Sequence, residues 1–367
     1  MKSKPHTYPN KSGVSASNFR LRKLRSGMNY AIRLEDHYNR KFGQVVTPAA
    51  IVKSLAVVSS TFEKNTRLWV LNVAPSRHLK TQTTQEQASI FPMKKLVYVG
   101  SDFTIHGIIR DYESGRKIDG KCLLVNDMTL LLASKAKQTK SRLVDALSEL
   151  ASEGRYIYRD FQQTYEVKAR FSLIANITPH SFLVNRKNLL GNTFIERCLV
   201  VYHALTDVEM SEANLTRPQR ITYKIDRFKQ KLHESEVTIS DADRVRFDEY
   251  ARRWRILGAY SSSSSLFDMI NSIAVAYAIL SAHRRITSAE YRILDMVEPR
   301  LRNPNETVKL TILELAHQGR STRDICNILN QDYDSYRPFI SRVIADYRQR
   351  GIMSPYAQSL TQDQERN

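Results

Sequence analysis

Cysteine, acidic residues and long apolar runs are all scarce in this sequence. The three cysteines, Cys122, Cys198 and Cys326, lack CxxC spacing, which disfavours a zinc site or a disulfide framework and favours buried free thiols in a reducing compartment. The longest apolar stretches, at residues 171–177 and 273–280, are shorter than the roughly 18 to 20 residues that cross a bilayer. We therefore expect an intracellular protein, cytoplasmic in a prokaryotic, viral or plasmid setting, with no membrane partner.

Positive charge dominates the composition. The chain has 367 residues, with 56 Lys and Arg against 37 Asp and Glu, which gives a formal net charge of +19. Such an excess favours polyanionic partners, above all DNA. The hydrophobic fraction of 42% and the aromatic fraction of 9% are typical of a packed globular protein and exclude a mainly disordered one. The length allows two or three domains.

The first 45 residues carry much of this charge. They contain ten Lys or Arg and two Asp or Glu, a net of +8 (10 minus 2), and few large aliphatic residues before Tyr30. We predict a mobile basic arm over residues 1–45 that binds the DNA backbone, and a solvated tail without such a role is the alternative. The residues of the arm expected to contact DNA are Arg20, Arg22, Lys23 and Arg25.

Five short apolar runs follow the arm, separated by polar segments of helical length. Each run is hydrophobic on both faces, which is typical of buried strands in a parallel sheet. The alternation of strands and helices predicts an α/β core with a parallel sheet over residues 46–237. The predicted strands are residues 68–73, 95–99, 122–125, 171–177 and 198–202.

After residue 238 the strand signals stop and helical patterns take over. Three further units are predicted: a helical lid over residues 238–300, a winged helix-turn-helix domain over residues 301–355, and a polar tail over residues 356–367. Ser321 and Asp324 form a capping box at the start of the middle helix of the small domain. The predicted helices are residues 241–257, 265–283, 288–297, 308–318, 321–331 and 335–349.

The loop after the first strand has the spacing of a phosphate-binding loop. Residues 74–81 read Ala-Pro-Ser-Arg-His-Leu-Lys-Thr between a strand and a helix, which is the context of a P-loop. In that role Ala74 and the loop amides would contact phosphates, Lys80 would reach the outer phosphates of ATP, and the Thr81 hydroxyl would bind Mg²⁺. Both glycines of the motif are missing, replaced by Ala74 and Leu79, so an ordinary strand-to-helix turn is the alternative.

Two later strands end in polar residues that belong at the same edge of the sheet. Asp127 follows the third strand, where a Walker B aspartate holds Mg²⁺ through water, and Met128 stands where a catalytic glutamate is expected. Asn176 closes the fourth strand, where it could orient an attacking water or touch the γ-phosphate. The alternatives are a capping role for Asp127 and a turn-forming role for Asn176.

The last strand has an arginine at its entrance. Arg197 immediately precedes residues 198–202. A guanidinium presented there to a neighbouring subunit is a candidate arginine finger, and a surface ion pair is the alternative.

Taken in order, these residues resemble the AAA+ family of P-loop ATPases. The chain has a Walker A-like APSRHLKT, a Walker B-like LLVND, a sensor 1-like LIAN and an arginine-bearing ERCLVVY over residues 45–210. Residues 265–294 resemble the lid of the MCM-related helicase branch, in which a winged helix follows the lid. The resemblance implies a DNA-handling ATPase that forms a ring or filament and binds ATP and Mg²⁺ between subunits. It also implies catalytic roles for Asp127, Asn176 and Arg197.

The last predicted helix has a basic outer face, which indicates the recognition helix of a helix-turn-helix. Ser335 is expected to cap this helix, Pro338 to lie in its first turn, and residues 351–358 to begin a wing. A protein-interaction domain without DNA contact is the alternative. The outward residues expected to contact DNA are Tyr336, Arg337, Ser341, Arg342 and Arg348.

Two functions fit these observations. The first is a DNA-dependent ATPase of the helicase, loader or remodelling type, in which ATP bound by Lys80, Thr81 and Asp127 changes subunit contacts. The second is an ATPase-inactive AAA+-like protein that assembles on DNA as an initiator, a regulator or a subunit of a larger machine. The missing glycines, Met128, and Ser264 in place of a lid arginine favour the second, whereas the retained polar residues favour some use of nucleotide. A plain transcription factor would leave the α/β core unexplained.

Overall fold

A parallel sheet of five strands lies at the centre of the fold. The computed structural model describes residues 29–92, 96–99, 105–115, 118–128, 137–159, 164–191, 193–203, 205, 209, 228–258, 263–302 and 307–349. Its strands are β1 (Trp69–Val73), β2 (Val97–Val99), β3 (Cys122–Val125), β4 (Arg155–Arg159), β5 (Thr164–Lys168), β6 (Ser172–Ile177) and β7 (Cys198–Tyr202).

The sheet has the order β2-β3-β6-β1-β7, and every neighbouring pair is parallel. All residues of β1, β3 and β6 are buried, because their runs are apolar on both faces and helices cover the sheet. The predicted strands are thus confirmed within a residue or two of their ends, and so is the parallel α/β core. After β1 the chain crosses to β2 at one side of the sheet, and after β6 it crosses to β7 at the other side. A crevice is therefore expected where the carboxyl ends of β1 and β6 meet.

Helices pack around the sheet and continue beyond it. The ranges are α1 (Tyr30–Phe42), α2 (Thr47–Ser59), α3 (Lys80–Ile90), α4 (Ile105–Glu113), α5 (Lys137–Glu153), α6 (Pro179–Gly191), α7 (Asp241–Gly258), α8 (Ser263–Ser281), α9 (Ser288–Val297), α10 (Thr307–His317), α11 (Thr322–Ile328) and α12 (Tyr333–Gln349). The helices predicted after residue 238 are all present, with ends shifted by a few residues.

Helix α8 is the centre of the helical layer. It packs against α1, α2, α7 and α9, and its residues from Ile273 to Leu280 are buried without exception. By length and composition alone α8 is apolar enough to cross a membrane, but 67% of its apolar window is buried inside the fold. Burial of this kind is typical of the core helix of a globular protein.

The basic arm predicted for residues 1–45 is wrong at its carboxyl end. Residues 30–42 form α1, which begins at a cap made by Asn29 and buries Ala31, Leu34 and Tyr38 in the main core. These apolar residues have the spacing of one face of a helix, and the helix was not predicted because charged residues surround them in the sequence. Arg20, Arg22, Lys23 and Arg25 lie outside the described residues.

A two-stranded antiparallel hairpin was not predicted. Strands β4 and β5 pair with each other and precede β6 in the chain. Their charged residues Arg155, Arg159 and Lys168 alternate with half-buried tyrosines, so one face of the hairpin is exposed.

The three carboxyl-terminal helices have a hydrophobic core of their own. Ile312, Ile325 and Ile340 are among its fully buried members, and Ile256 of α7 joins it from the helical layer. Ser321 and Asp324 form the predicted capping box, so that expectation is confirmed. The described residues contain the three helices of this unit, whereas residues 351–358, the predicted start of a wing, lie outside them.

The predicted start of the last helix is wrong. Helix α12 begins at Tyr333, and Asp332 accepts a hydrogen bond from the Ser335 backbone N–H at 3.0 Å, so Asp332 caps the helix instead of Ser335. Pro338 therefore lies inside the helix, beyond its first turn. A capping aspartate three residues before the predicted boundary accounts for the shift.

The cysteines are buried, as expected. Cys122 and Cys198 lie in β3 and β7, and Cys326 lies in the core of the carboxyl-terminal helices. Burial raises the pKa of the Cys122 thiol to about 12 and also raises the pKa values of the other two thiols. All three are therefore poor nucleophiles at neutral pH.

Candidate functional site

The loop between β1 and α3 has the backbone conformation that glycines usually supply. Arg77 has φ of 70° and Leu79 has φ of 59°, so two residues with side chains occupy the left-handed region. Arg77 is exposed, whereas Leu79 is buried and helps to anchor the loop to the core. The missing glycines therefore do not prevent a P-loop-like turn, although each of these residues costs about 1 kcal/mol of strain.

Lys80 lies at the start of α3, at the carboxyl edge of the sheet. Its Nζ donates a hydrogen bond to the backbone oxygen of Ala74 at 3.2 Å, and the residue is only 7% exposed. Burial lowers the pKa of Lys80, and the negative charge of Asp127 acts in the opposite direction. Lys80 and Asp127 are thus close enough to interact, as the P-loop hypothesis requires. Thr81 follows at the same helix end and is half-buried.

Asn176 lies at this edge too, but beneath the surface. It is fully buried, and its Oδ1 accepts a hydrogen bond from Asn72 at 3.0 Å. Its Nδ2 donates to Thr84 Oγ1 at 3.0 Å and to the backbone oxygen of Asn126 at 3.3 Å. In this structure both atoms of its amide group are engaged in hydrogen bonds of the protein interior, and a contact with the γ-phosphate or with an attacking water stays a prediction.

A buried lysine that the sequence analysis missed completes this group. Lys53 of α2 is 0% exposed, and its Nζ donates to Thr83 Oγ1 at 2.8 Å, to Thr84 Oγ1 at 3.0 Å and to the backbone oxygen of Lys80 at 3.0 Å. Oδ1 of Asn176 lies 3.4 Å away. Burial and then the charge of Lys80 hold the pKa of Lys53 well below its usual value. We refer to Lys53, Asn72, Thr83, Thr84 and Asn176 as the buried polar cluster.

A second group of basic residues lies beside the loop. His203, which follows β7, is 1% exposed, and burial followed by the charges of Lys53, Arg300 and His78 lowers its pKa to about 3. Neither ring nitrogen of His203 makes a hydrogen bond of good geometry to a described residue, although the backbone of His78 is close enough to oppose the pKa shift. Burial also lowers the pKa of Arg300, which the charge of Glu209 opposes.

Lys80 is the cation best placed to meet an anion at this edge of the sheet. Burial lowers its pKa because its ammonium group has lost hydration, which a bound anion could replace, whereas Nζ of the fully buried Lys53 is already surrounded by protein oxygens. In addition, Leu79 precedes α3 and has no polar side chain to cap it. The backbone N–H groups at the start of the helix are therefore available to an anion at this edge of the sheet. These features fit the phosphates of a nucleotide.

The residues present also fit a magnesium ion held together with phosphates. The Thr81 hydroxyl and the Asp127 carboxylate are oxygen ligands at the same edge of the sheet, and Mg²⁺ commonly uses one or two protein ligands plus phosphate and water oxygens. Next to Asp127, the buried Oδ1 of Asn126 has no hydrogen-bond partner among the described residues. Within the same residues, no group of three or more His, Cys, Asp or Glu is arranged to hold a metal.

Arg197 is not part of this site. It belongs to a short 3-10 helix before β7, and because β7 is parallel to β1 it lies at the amino edge of the sheet, opposite Lys80. Its guanidinium donates to Thr193 Oγ1 at 2.9 Å. The prediction that Arg197 lies at the entrance of the last strand is confirmed, and contact of its guanidinium with a neighbouring subunit stays a prediction.

The exposed positions of α12 include two arginines and two aspartates, so this side of the helix is charged but not uniformly basic. Arg337, Ser341 and Arg342 are exposed and Tyr336 is half-buried, which agrees with the predicted outward face. Arg348 is half-buried, and its buried Nε has no hydrogen-bond partner among the described residues. At about 100° per residue it lies on the same side of α12 as Arg337 and Ser341, and its contact with DNA stays a prediction.

Two arginines frame an aromatic ring on this side of the carboxyl-terminal helices. The guanidinium carbons of Arg323 and Arg337 lie 5.2 and 5.8 Å from the centre of the Tyr333 ring. Arg323 belongs to α11 and is exposed, so the basic surface extends from α12 to the helix before it. Exposed arginines beside an aromatic ring are typical of surfaces that contact nucleic-acid phosphates.

In comparisons with known proteins, no family model matches the chain, and no curated protein matches it. The resemblance to the AAA+ family therefore stays a prediction that depends on the residues themselves. Of the residues that sequence reasoning missed, Lys53 had a visible signal, because it is a single lysine inside the apolar segment AAIVKSLAVV. His203 and Arg300 had none, since only the fold brings them to the loop.

Proposed function

We propose that this chain is a DNA-binding, AAA+-like assembly or regulatory protein that binds ATP with Mg²⁺ at residues 74–81 and turns it over slowly or not at all. The observation that carries the proposal is the position of Lys80, at the carboxyl edge of the sheet, near Asp127 and in a first turn of α3 that has no side-chain cap. Lys80 and the loop amides would hold the phosphates, and Thr81 and Asp127 would hold the metal.

Two features of the site support slow turnover. Met128, at the place where a general base is expected, is apolar and 1% exposed. Asn176 is engaged in the buried polar cluster and cannot reach a water at the site without breaking it. When bound, Mg²⁺ neutralises phosphate charge, but positioning an attacking water still requires a polar side chain at the surface of the site.

The DNA part of the proposal is supported by charge. The net charge of +19 favours a polyanionic partner, and Arg337 and Arg342 project from an exposed face of α12. The amino-terminal segment with Arg20, Arg22 and Lys23 would add phosphate contacts. Assembly into a ring or filament would place Arg197 against a neighbouring copy, and further partner proteins would join through the same complex.

An active DNA-dependent ATPase, of the helicase, loader or remodelling type, is the second candidate. The electrostatic contact between Lys80 and Asp127 favours it, because a phosphate-binding lysine and a metal-binding aspartate must share one edge of the sheet. In this reading an acidic group or a water-positioning residue would have to come from a neighbouring subunit.

One experiment separates these candidates. ATP binding in the presence of Mg²⁺ and ATP turnover, with and without DNA, are measured on the unaltered protein, on Lys80→Met, and on Lys168→Met as a matched control on the exposed hairpin. We expect Lys80→Met to weaken ATP binding at least about tenfold, because it removes a charge-assisted contact to phosphate, and Lys168→Met to leave it unchanged.

The outcomes are distinct. ATP binding without turnover supports the assembly protein. Turnover that DNA stimulates and Lys80→Met abolishes establishes the ATPase instead. Failure of the unaltered protein to bind ATP, or equal binding by Lys80→Met, rules out both nucleotide hypotheses.

A further inference from the structure

Lys53 has an unusual environment for a lysine. Every residue of α2 is buried, and no ion pair to Lys53 is found in the part of the chain that the structure describes. A cationic or polar group that is buried without a carboxylate is unfavourable unless its hydrogen bonds are satisfied. Four oxygens around Nζ accept these hydrogen bonds, so the positions of the oxygens show which elements Lys53 connects.

Three of the four oxygens belong to the first turn of α3. They are the backbone oxygen of Lys80 and the hydroxyl oxygens of Thr83 and Thr84, and the fourth belongs to Asn176 of β6. Lys53 therefore joins the start of α3 to α2 and to the central sheet. Asn176 reinforces the same connection, because its Nδ2 donates to Thr84 Oγ1.

The sequence around the loop does little to fix this turn by itself. Leu79 offers no side-chain cap, and both Leu79 and Arg77 adopt left-handed backbone conformations that disfavour residues with side chains. Contacts from outside the loop must therefore keep the turn in place. The hydrogen bonds of Lys53 reach it from the side that faces the core.

We propose that Lys53 is a positioning residue of the phosphate site, with Asn176 as its partner. By fixing the first turn of α3, Lys53 fixes the backbone amides of that turn and the base of the Lys80 side chain, and these are the groups that would contact phosphate. Asn176 acts through Thr84 and not by contact with nucleotide. This role rests on the proposed ATP-binding function, but its structural part can be measured without nucleotide.

The test compares three variants. Lys53→Met removes the donor and keeps most of the side-chain volume, and Thr84→Val removes one acceptor in an isosteric way. Ser54→Ala is the matched control, because Ser54 is the next residue of α2, is fully buried, and donates to Gln87 in the second half of α3 at 2.8 Å. Each protein is examined by amide hydrogen exchange of α3 and by titration with ATP and Mg²⁺, with DNA affinity as a reference.

We expect Lys53→Met to speed exchange of the Thr83 amide, which closes the first turn of α3 by donating to the backbone oxygen of Leu79 at 2.9 Å, at least about tenfold relative to the second half of the helix, and to weaken ATP binding by about tenfold. Thr84→Val should act in the same direction by roughly threefold. Ser54→Ala should leave the first turn and ATP affinity within about twofold of the unaltered protein. DNA affinity should not change, because α12 is remote in the sequence and has its own core.

Several results would overturn the positioning role. One is unchanged exchange of the first turn in Lys53→Met, and another is an equal loss of ATP affinity in Ser54→Ala. If Lys53→Met does not fold, Thr84→Val decides the matter by the same two measurements. If the unaltered protein does not bind ATP, the proposed function fails, while hydrogen exchange still decides whether Lys53 holds the turn.

Discussion

Two residues with side chains adopt a conformation that glycine would adopt more easily. Arg77 and Leu79 have positive φ angles in the loop before α3. For a residue with a Cβ atom the left-handed region costs about 1 to 2 kcal/mol relative to the right-handed one. Burial of the Leu79 side chain offsets part of this free energy, whereas the side chain of Arg77 is exposed and offsets none of it. Arg77 is therefore the position where glycine should stabilise the fold.

Arg77→Gly should therefore raise the free energy of unfolding by about 1 kcal/mol relative to Arg77→Ala. Urea denaturation followed by tryptophan fluorescence measures the difference. Ser76→Gly is the control, because Ser76 is exposed, adjacent and not at positive φ, and there glycine should destabilise by about 0.5 to 1 kcal/mol. Equal effects of glycine at the two positions would contradict the loop conformation described above.

At the scale of elements, α3 is held to α1 and α2 by polar side chains. Its buried residues include Thr83, Thr84, Glu86 and Gln87, and Ile90 is the one buried apolar side chain of this helix. Glu86 accepts hydrogen bonds from His37 at 2.8 Å and from Lys41, both in α1. The position of α3, which follows the candidate loop at residues 74–81, therefore depends on hydrogen bonds, which are directional, more than on apolar contact.

Glu86 makes this attachment dependent on pH. Burial raises the pKa of Glu86, but hydrogen bonds from His37 and Lys41 and the Lys41 charge outweigh burial, so the pKa is lowered overall. A carboxylate with a lowered pKa stabilises the fold above its unfolded value of about 4.3, and this contribution is lost as the pH falls through the folded value. We expect Glu86→Gln to reduce the free energy of unfolding by about 1 to 2 kcal/mol at pH 7, and by progressively less as the pH falls below about 4.

Urea denaturation at pH 7 and at several pH values below 4 at which the protein stays folded tests this expectation. Glu249→Gln, which changes an exposed carboxylate of α7, serves as the control. A deficit in Glu86→Gln that stays constant over the whole range would show that the carboxylate charge does not hold α3 to α1.

Elements with one dominant apolar pattern were predictable from the sequence, and mixed ones were not. The strands β1, β3, β6 and β7 were found because continuous apolar runs leave few alternatives. The hairpin of β4 and β5 was missed because charged residues alternate with its tyrosines, and α1 was missed because it lies in a basic segment. The start of α12 was misplaced because Ser335 and Asp332 are both good caps, and only the backbone decides between them.

For the whole molecule, the candidate site depends on contacts between distant parts of the chain. The sequence could indicate Lys80, Thr81 and Asp127, because each follows a recognisable strand. It could not indicate that Lys53 reaches Asn176 across 123 positions, since that contact exists only when α2 packs on the sheet. Polar residues inside the core have no periodic signal of their own, which is why the buried polar cluster became visible only in the fold.

The charge of the whole molecule leads to a prediction about DNA. If the affinity comes mainly from phosphate contacts, its logarithm should fall linearly with the logarithm of salt concentration, with a slope near −0.9 per neutralised phosphate of duplex DNA. Arg342→Gln should weaken binding and reduce the slope by about 0.9, because Arg342 is an exposed cation on the outer face of α12. Fluorescence anisotropy of a labelled duplex between about 50 and 200 mM salt measures both quantities.

Arg252→Gln is the control that separates a local interface from overall charge. Arg252 is exposed on α7 and forms an ion pair with Asp248 at 2.5 Å, so the substitution changes the net charge by the same amount as Arg342→Gln. It should leave the slope unchanged, because counterion release depends on the cations that contact phosphate and not on the total charge. If both substitutions reduce the slope equally, DNA contacts α12 no more than α7, and the helix-turn-helix interpretation of the carboxyl-terminal helices is wrong.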